Sequence, residues 1–118
     1  MIAVSERTRV YLAQGATDLR KSIDGLAVLV ADVLDQDPFS SHLFVFCNRA
    51  RDKIKILFWQ HNGFWLFYRR LERDRFRWPS PDGPSTAVTL SPRELRWLLD
   101  GLDYRCIEGH KKAEYSLL

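Results

Sequence analysis

Nine basic residues fall within one stretch of the chain: Arg49, Arg51, Lys53, Lys55, Arg69, Arg70, Arg73, Arg75 and Arg77. Seven of them are arginines, whose planar guanidinium forks pair with phosphate oxygens in a way that a lysine point charge does not. Only Asp52, Glu72 and Asp74 oppose them, so residues 49–77 carry +6 in a chain whose net charge is +3. Residues 1–48 carry −2 and residues 78–118 carry −1. A local cationic excess of this kind is the electrostatic footprint of a polyanion binder. Outward strand and turn residues that keep a sheet soluble and guard its edges would give the same count, so charge alone leaves both readings open. Arg20 and Lys21 are candidates to extend the patch from a helix start.

Aromatic residues are threaded through the same stretch. Stacking rings beside phosphate-binding arginines are the usual parts of a sheet that binds nucleic acid. Alternatively, Trp59, Trp65 and Trp78 form an aromatic patch for a protein partner, with the arginines as its polar rim. The RNA-recognition signature is absent, and a helix-turn-helix is not evident because the two helix candidates are separated by the whole sheet.

Other chemistries find less support. A metal site would draw on His42, His61, His110, Cys47 and Cys106. The His42/Cys47 and Cys106/His110 spacings do not match paired zinc-ligand spacings, and no metal or cofactor is expected. No nucleophile-elbow pattern and no glycine-rich phosphate loop is present. A three-acid nuclease would need Asp18, Asp24, Asp52, Asp74 and Asp100 to converge in part. These acids fall at caps, turns and exposed helix faces, so a non-catalytic protein is expected.

The elements that must position these residues follow from hydrophobic period. Leu43–Leu71 holds three apolar, aromatic-rich runs, Leu43–Cys47, Lys53–Trp59 and Phe64–Leu71, separated by the polar turn Asn48–Asp52 and by His61-Asn62-Gly63. The Asn-Gly pair is a hairpin signal. In the second run Ile54, Ile56 and Phe58 oppose Lys53, Lys55, Leu57 and Trp59; in the third, Phe64, Leu66 and Tyr68 oppose Trp65, Phe67 and Arg69. Both faces are bulky, so both need a cover. Arg9–Ala13 is a further strand candidate, and Phe76 with Trp78 begins a fourth strand of the meander.

Leu19–Leu34 places apolar residues three and four apart, giving a long helix near Asp18–Leu34 with Thr17-Asp18, or alternatively Ser22, at its start. Gly25 inside it is expected to let another backbone approach. Asp37-Pro38 ends the helical region. Ser91, Pro92 and Glu94 form a capping-box start for a shorter helix, Pro92–Asp100, with Leu95, Leu98 and Leu99 inward and Gly101 closing it. The expected fold class is α+β: an antiparallel β-meander of about four to five strands packed by one long and one short helix.

The 118 residues suit a single domain, with 46% hydrophobic and 28% charged residues marking a globular chain. Residues 106–118 are expected to be a mobile C-terminal tail. Two cysteines, an N-terminus without an apolar signal core and the lack of a membrane-length apolar run imply a cytoplasmic protein with reduced thiols.

In order along the chain stand Thr17-Asp18-Leu19-Arg20-Lys21, Asp24-Gly25-Leu26, Asp37-Pro38-Phe39-Ser40, Leu43-Phe44-Val45-Phe46, Asp52-Lys53-Ile54-Lys55-Ile56-Leu57, Trp59, Asn62-Gly63-Phe64, Leu66-Phe67-Tyr68-Arg69-Arg70-Leu71-Glu72 and Phe76-Arg77-Trp78-Pro79. Taken together, over about residues 9–105, these resemble the accessory protein encoded by the second open reading frame of insertion sequences of the sixty-six family. Ser22 departs from the glycine of that pattern, and Glu108–Leu118 matches nothing in it. The resemblance implies a non-catalytic role in DNA transposition, beside a separate acid-triad transposase and another accessory protein, and it carries over no catalytic residues. DNA at the element ends and the transposase complex are the expected partners.

Overall fold

The computed structural model describes residues 5, 7–79 and 87–101. The tail at 106–118, and with it Cys106 and His110, lies outside the described residues, as does the proline-rich loop at 80–86.

Two short strands are apolar at every position and end up buried on both faces. β1 (Val10–Ala13, VYLA) and β2 (Leu43–Cys47, LFVFC) are buried throughout, as expected of central strands covered on each side. They pair in parallel, Val10 opposite Leu43 and Leu12 opposite Val45. A parallel pair needs a crossover, and α1 (Ile23–Asp32) provides it. β3 (Lys53–Gln60) and β4 (Gly63–Arg70) follow as an antiparallel hairpin, and β5 (Ala87–Leu90) returns antiparallel to β1. The sheet order is β4-β3-β2-β1-β5. α2 (Pro92–Leu99) completes the fold.

The α+β class is as expected, but the sheet is mixed rather than a pure antiparallel meander. Tyr11 is buried like Val10 and Leu12 on either side of it, and it stacks on Phe44, with ring centroids 5.5 Å apart. That full burial is what places β1 inside the sheet. Phe76 and Trp78 start no strand. The Phe76 amide donates to the Arg51 carbonyl at 2.7 Å and the Trp78 amide to the Phe76 carbonyl at 3.0 Å, so this segment bonds to a turn and to itself.

The helices, ten and eight residues long, are not a long and a short one. α1 starts after Ser22, because Asp18 is engaged by Arg20 in a local turn. It ends before Asp37-Pro38, where the Leu34 amide reaches back to the Leu29 carbonyl and Asp35 takes φ +53°. Gly25 admits no strand backbone: a Cβ there would meet the Lys21 side chain at 3.2 Å. α2 begins as its capping box dictates. Ser91 Oγ accepts from the Glu94 amide at 3.1 Å, and the Ser91 amide donates to Glu94 Oε1 at 3.0 Å.

Each helix covers one face of the sheet. Leu26 and Val30 of α1, with Leu34 just beyond its end, pack on Tyr11, Phe44, Phe46 and Leu57. Leu95 and Leu98 of α2, with Phe76 and Trp78, pack on Val10, Leu12, Val45, Ile54 and Phe58. The two-residue hairpin turn is His61-Asn62, with φ of +45° and +66°, and Gly63 is already strand. Positive φ at both turn residues matches the twist of the flanking strands.

Candidate nucleic-acid interface

The basic residues gather at one end of the sheet, where β2 ends, β3 starts and β4 ends. The β2–β3 turn is built on Asn48. Its Oδ1 accepts from the Asp52 and Lys53 amides at 3.1 and 3.0 Å, and its Nδ2 donates to Asp52 Oδ1 at 2.7 Å. These bonds let Arg51 hold φ +63° and hold the Asp52 carboxyl below its usual range. Arg49 is exposed on this turn, whereas Arg51 is half-buried. Arg51 Nη1 is buried and has no hydrogen-bond partner among the described residues.

From here the cations divide between the two faces. On the α2 face, Arg69, Arg73, Arg75 and Arg77 line an open groove of about 690 Å³ together with Asp74, Leu99 and Asp100. Phe76 and Trp78 are buried, while Arg75 and Arg77 beside them, and Arg73 before the turn at Asp74, are exposed. Arg69 Nη1 donates to the Leu99 carbonyl at 2.7 Å, placing a cation at the negative end of α2. No hydrogen bond or ion pair ties the Arg49, Arg73 or Arg77 guanidinium among the described residues. Arg75 lies close enough to Asp52 to lower its pKa.

On the α1 face, Lys53, Lys55, Asp18, Arg20, Leu66 and Tyr68 share a second, shallower depression. Lys55 Nζ donates to the Lys21 carbonyl at 2.9 Å and sits 5.8 Å from the centre of the Tyr68 ring. Arg20 pairs with Asp18 at 2.8 Å, and Arg70 pairs with Glu72 at 2.8 Å. The Asp18 carboxyl is held down at about 2 by this partner. The eleven cations thus flank one end of the sheet without forming one plane, and Arg20, Lys55, Arg69 and Arg70 already have partners within the chain.

The three tryptophans do not form one patch. Trp78 is a core residue, 5% exposed, with its indole bonded to the Ala13 carbonyl. Trp59 lies on the α1 face at the hairpin end, 4.9 Å from Phe39 and 4.9 Å from Phe64 between ring centroids. Trp65 lies on the opposite face, 48% exposed, stacked on Phe67 at 6.0 Å. Sequence reasoning missed Phe39 and the Leu99 carbonyl: Phe39 sits in a loop without periodicity, and a main-chain acceptor leaves no mark in residue types.

Two of the candidate metal ligands, His42 and Cys47, are engaged within the fold. His42 Nδ1 accepts from the Arg9 amide at 3.0 Å, and burial lowers its pKa. Cys47 is buried in β2, which pushes its thiol up to about 12. Among the described residues no three His, Cys, Asp or Glu side chains gather to hold a metal ion. Among them, too, no helix is long and apolar enough to cross a membrane.

Comparison with known proteins adds the biological frame. The chain is similar to an uncharacterized protein, y4hO, of Sinorhizobium fredii, 39% identical over 105 residues that cover 89% of this chain and 90% of that protein. A second uncharacterized protein of the same strain, y4jC, is 33% identical over 105 residues, covering 88% and 87%. No solved structure matches. The family model described as IS66 Orf2 like protein matches residues 8–109, and the chain belongs to that family.

Proposed function

We propose that the protein is a non-catalytic accessory factor in transposition of an insertion sequence, binding DNA phosphates at the basic end of its sheet. Family membership points to the accessory role. The groove formed by Arg69, Arg73, Arg75 and Arg77 carries the DNA reading. Three of these arginines alternate along a segment that two buried aromatics hold rigidly against the core, and two of them have no internal partner among the described residues. Unpaired, exposed guanidinium groups on a fixed backbone are suited to phosphates, which position a protein on DNA without reading sequence. Lys53, Lys55 and Arg70 extend the positive potential around the edge of the sheet.

Fluorescence anisotropy with duplex DNA from the element ends, over a salt series, tests this. Contacts from Arg49, Arg73, Arg75 and Arg77 should give a slope of log K against log salt of about −3 to −4, at ~0.9 per phosphate. The double variant Arg73→Ala/Arg75→Ala should reduce that slope by about 2 and leave the unfolding midpoint in place. A flat salt response in the unmodified protein would overturn the reading.

A second reading is a protein-interaction module of the transposition complex that makes no direct DNA contact. The exposed Trp65–Phe67 stack favours it. Loss of transposase co-purification in Trp65→Ala, with no DNA binding in either protein, would support it.

A further inference from the structure

We infer that β4 is a self-association edge through which a second copy of this chain continues the sheet. The inference stands apart from the DNA reading. β4 is the outer strand and, among the described residues, pairs only with β3. It is eight residues long, whereas β5 at the opposite edge has four. Edge strands are normally blunted by charge, proline, bulges or shortness. From Phe64 to Tyr68, FWLFY, β4 has none of these, and its ladder to β3 is unbroken.

The parity of the ladder fixes which main-chain groups remain open. The Lys53 carbonyl accepts from Asn48 on the β2 side, and the Asp52 carbonyl accepts from Leu71 on the β4 side. Alternation then turns Ile54, Ile56, Phe58 and Gln60 toward β4, and their partners Arg69, Phe67, Trp65 and Gly63 toward β3. The N–H and C=O groups of Phe64, Leu66 and Tyr68 therefore point away from the sheet.

Two-fold antiparallel pairing centred on Leu66 uses all three. Phe64 meets Tyr68 of the second copy, Leu66 meets Leu66, and Trp65 meets Phe67 on the α2 face. Aromatic pairs then form on both faces, joining the exposed Trp65–Phe67 stacks of the two copies. The charges also select this arrangement. Each Arg69–Arg70 pair falls beside the other copy's hairpin turn, with the two Arg69 residues about 20 Å apart at ~3.4 Å per residue. That exceeds the Debye length of about 8 Å at physiological salt. Parallel pairing, or a register centred on Arg69, would stack like charges directly. The interface is isologous, so it closes at two copies.

Sedimentation equilibrium on the full chain, with hydrogen exchange at several concentrations, tests the inference. The expected result is a dimer that dissociates on dilution, with amide protection at Phe64, Leu66 and Tyr68 rising with concentration. Tyr68→Pro, which deletes an outward donor at an edge position that tolerates proline, and Trp65→Ser should each weaken dimerisation at least tenfold while retaining the native circular dichroism spectrum. A chain that stays monomeric into the millimolar range overturns the proposal. So does a dimer that neither substitution weakens, which would use another surface. Protection of these three amides that does not change on dilution also overturns it, because the edge would then be covered within one chain. If either variant fails to fold, the exchange profile of the unmodified protein decides.

Discussion

The Trp78 indole donates from Nε1 to the Ala13 carbonyl at 3.1 Å, joining residues 65 positions apart. The bond pins the segment that carries Arg73, Arg75 and Arg77 to the end of β1, the strand buried between β2 and β5. Trp78→Ala should destabilise the fold by about 3–5 kcal/mol, as expected for truncating a buried aromatic. Trp78→Phe keeps much of the packing and loses the hydrogen bond, about 0.5–1.5 kcal/mol net, in addition to the smaller ring's packing loss. Urea unfolding measures both. Equal midpoints for Trp78→Phe and the unmodified protein would show that the bond contributes nothing.

Asn48 organises the turn that presents Arg49 and Arg51. Asn48→Ala leaves the Asp52 and Lys53 amides without their acceptor and should cost about 1–2 kcal/mol. Asn48→Asp restores an acceptor but sets a carboxylate against Asp52 where an amide now donates at 2.7 Å. The Asp52 carboxyl, now held low chiefly by that donation, should rise. Carbon-detected NMR titration of Asp52 checks it, and a pKa no higher in Asn48→Asp than in the unmodified protein would refute the account.

What was legible in the sequence was local. Ser91-Pro92 with Glu94 specified the start of α2 because a capping box is satisfied within four residues. Alternation along β3 and β4 assigned their faces correctly, since period two depends only on neighbours. What was not legible was long-range. The parallel β1–β2 pair is set by burial on both faces, and Val10–Ala13 is too short for periodicity to report that. Trp78 looked like a contact residue because its acceptor, Ala13, lies 65 positions away along the chain. The cationic cluster could be counted from the sequence, but its division between two faces depends on the parity of β3 and β4 and on the course of residues 72–79.

Gly25 offers a stabilising change. A Cβ at this position would lie 3.2 Å from Lys21 Cβ and 3.3 Å from its Cγ, closer than is comfortable. Lys21 is exposed and precedes the helix, so it can give by a few tenths of an ångström. Replacing a helical glycine with alanine gains up to about 1 kcal/mol from helix propensity and a less flexible unfolded chain, and less in the first turn, where Gly25 lies. Gly25→Ala should therefore raise stability by about 0.5–1 kcal/mol. A lower urea midpoint would mean that Lys21, whose carbonyl accepts from Lys55, cannot move.

The Asp18–Arg20 pair should make the acid limb of stability depend on salt. Hydrogen bonds from the Arg20 guanidinium, and after them from the Arg20 amide, hold the Asp18 carboxyl at about 2, against an ordinary value of 3.8. As pH falls, the unfolded chain therefore takes up this proton before the folded one does. The pair's contribution is full above pH 3.8 and is lost as pH drops toward 2. Its side chains are 91% and 46% exposed, so salt screens the attraction and should shrink the effect. In Arg20→Ala, Asp18 should titrate higher than in the unmodified protein but below 3.8, because the residue-20 amide still donates to its Oδ1, and the part of the stability slope between pH 4 and 2 that the guanidinium provides should disappear. NMR titration of Asp18 in both proteins, at low and high salt, measures this directly. Identical titration curves with and without the Arg20 side chain would show that the pair has no electrostatic role.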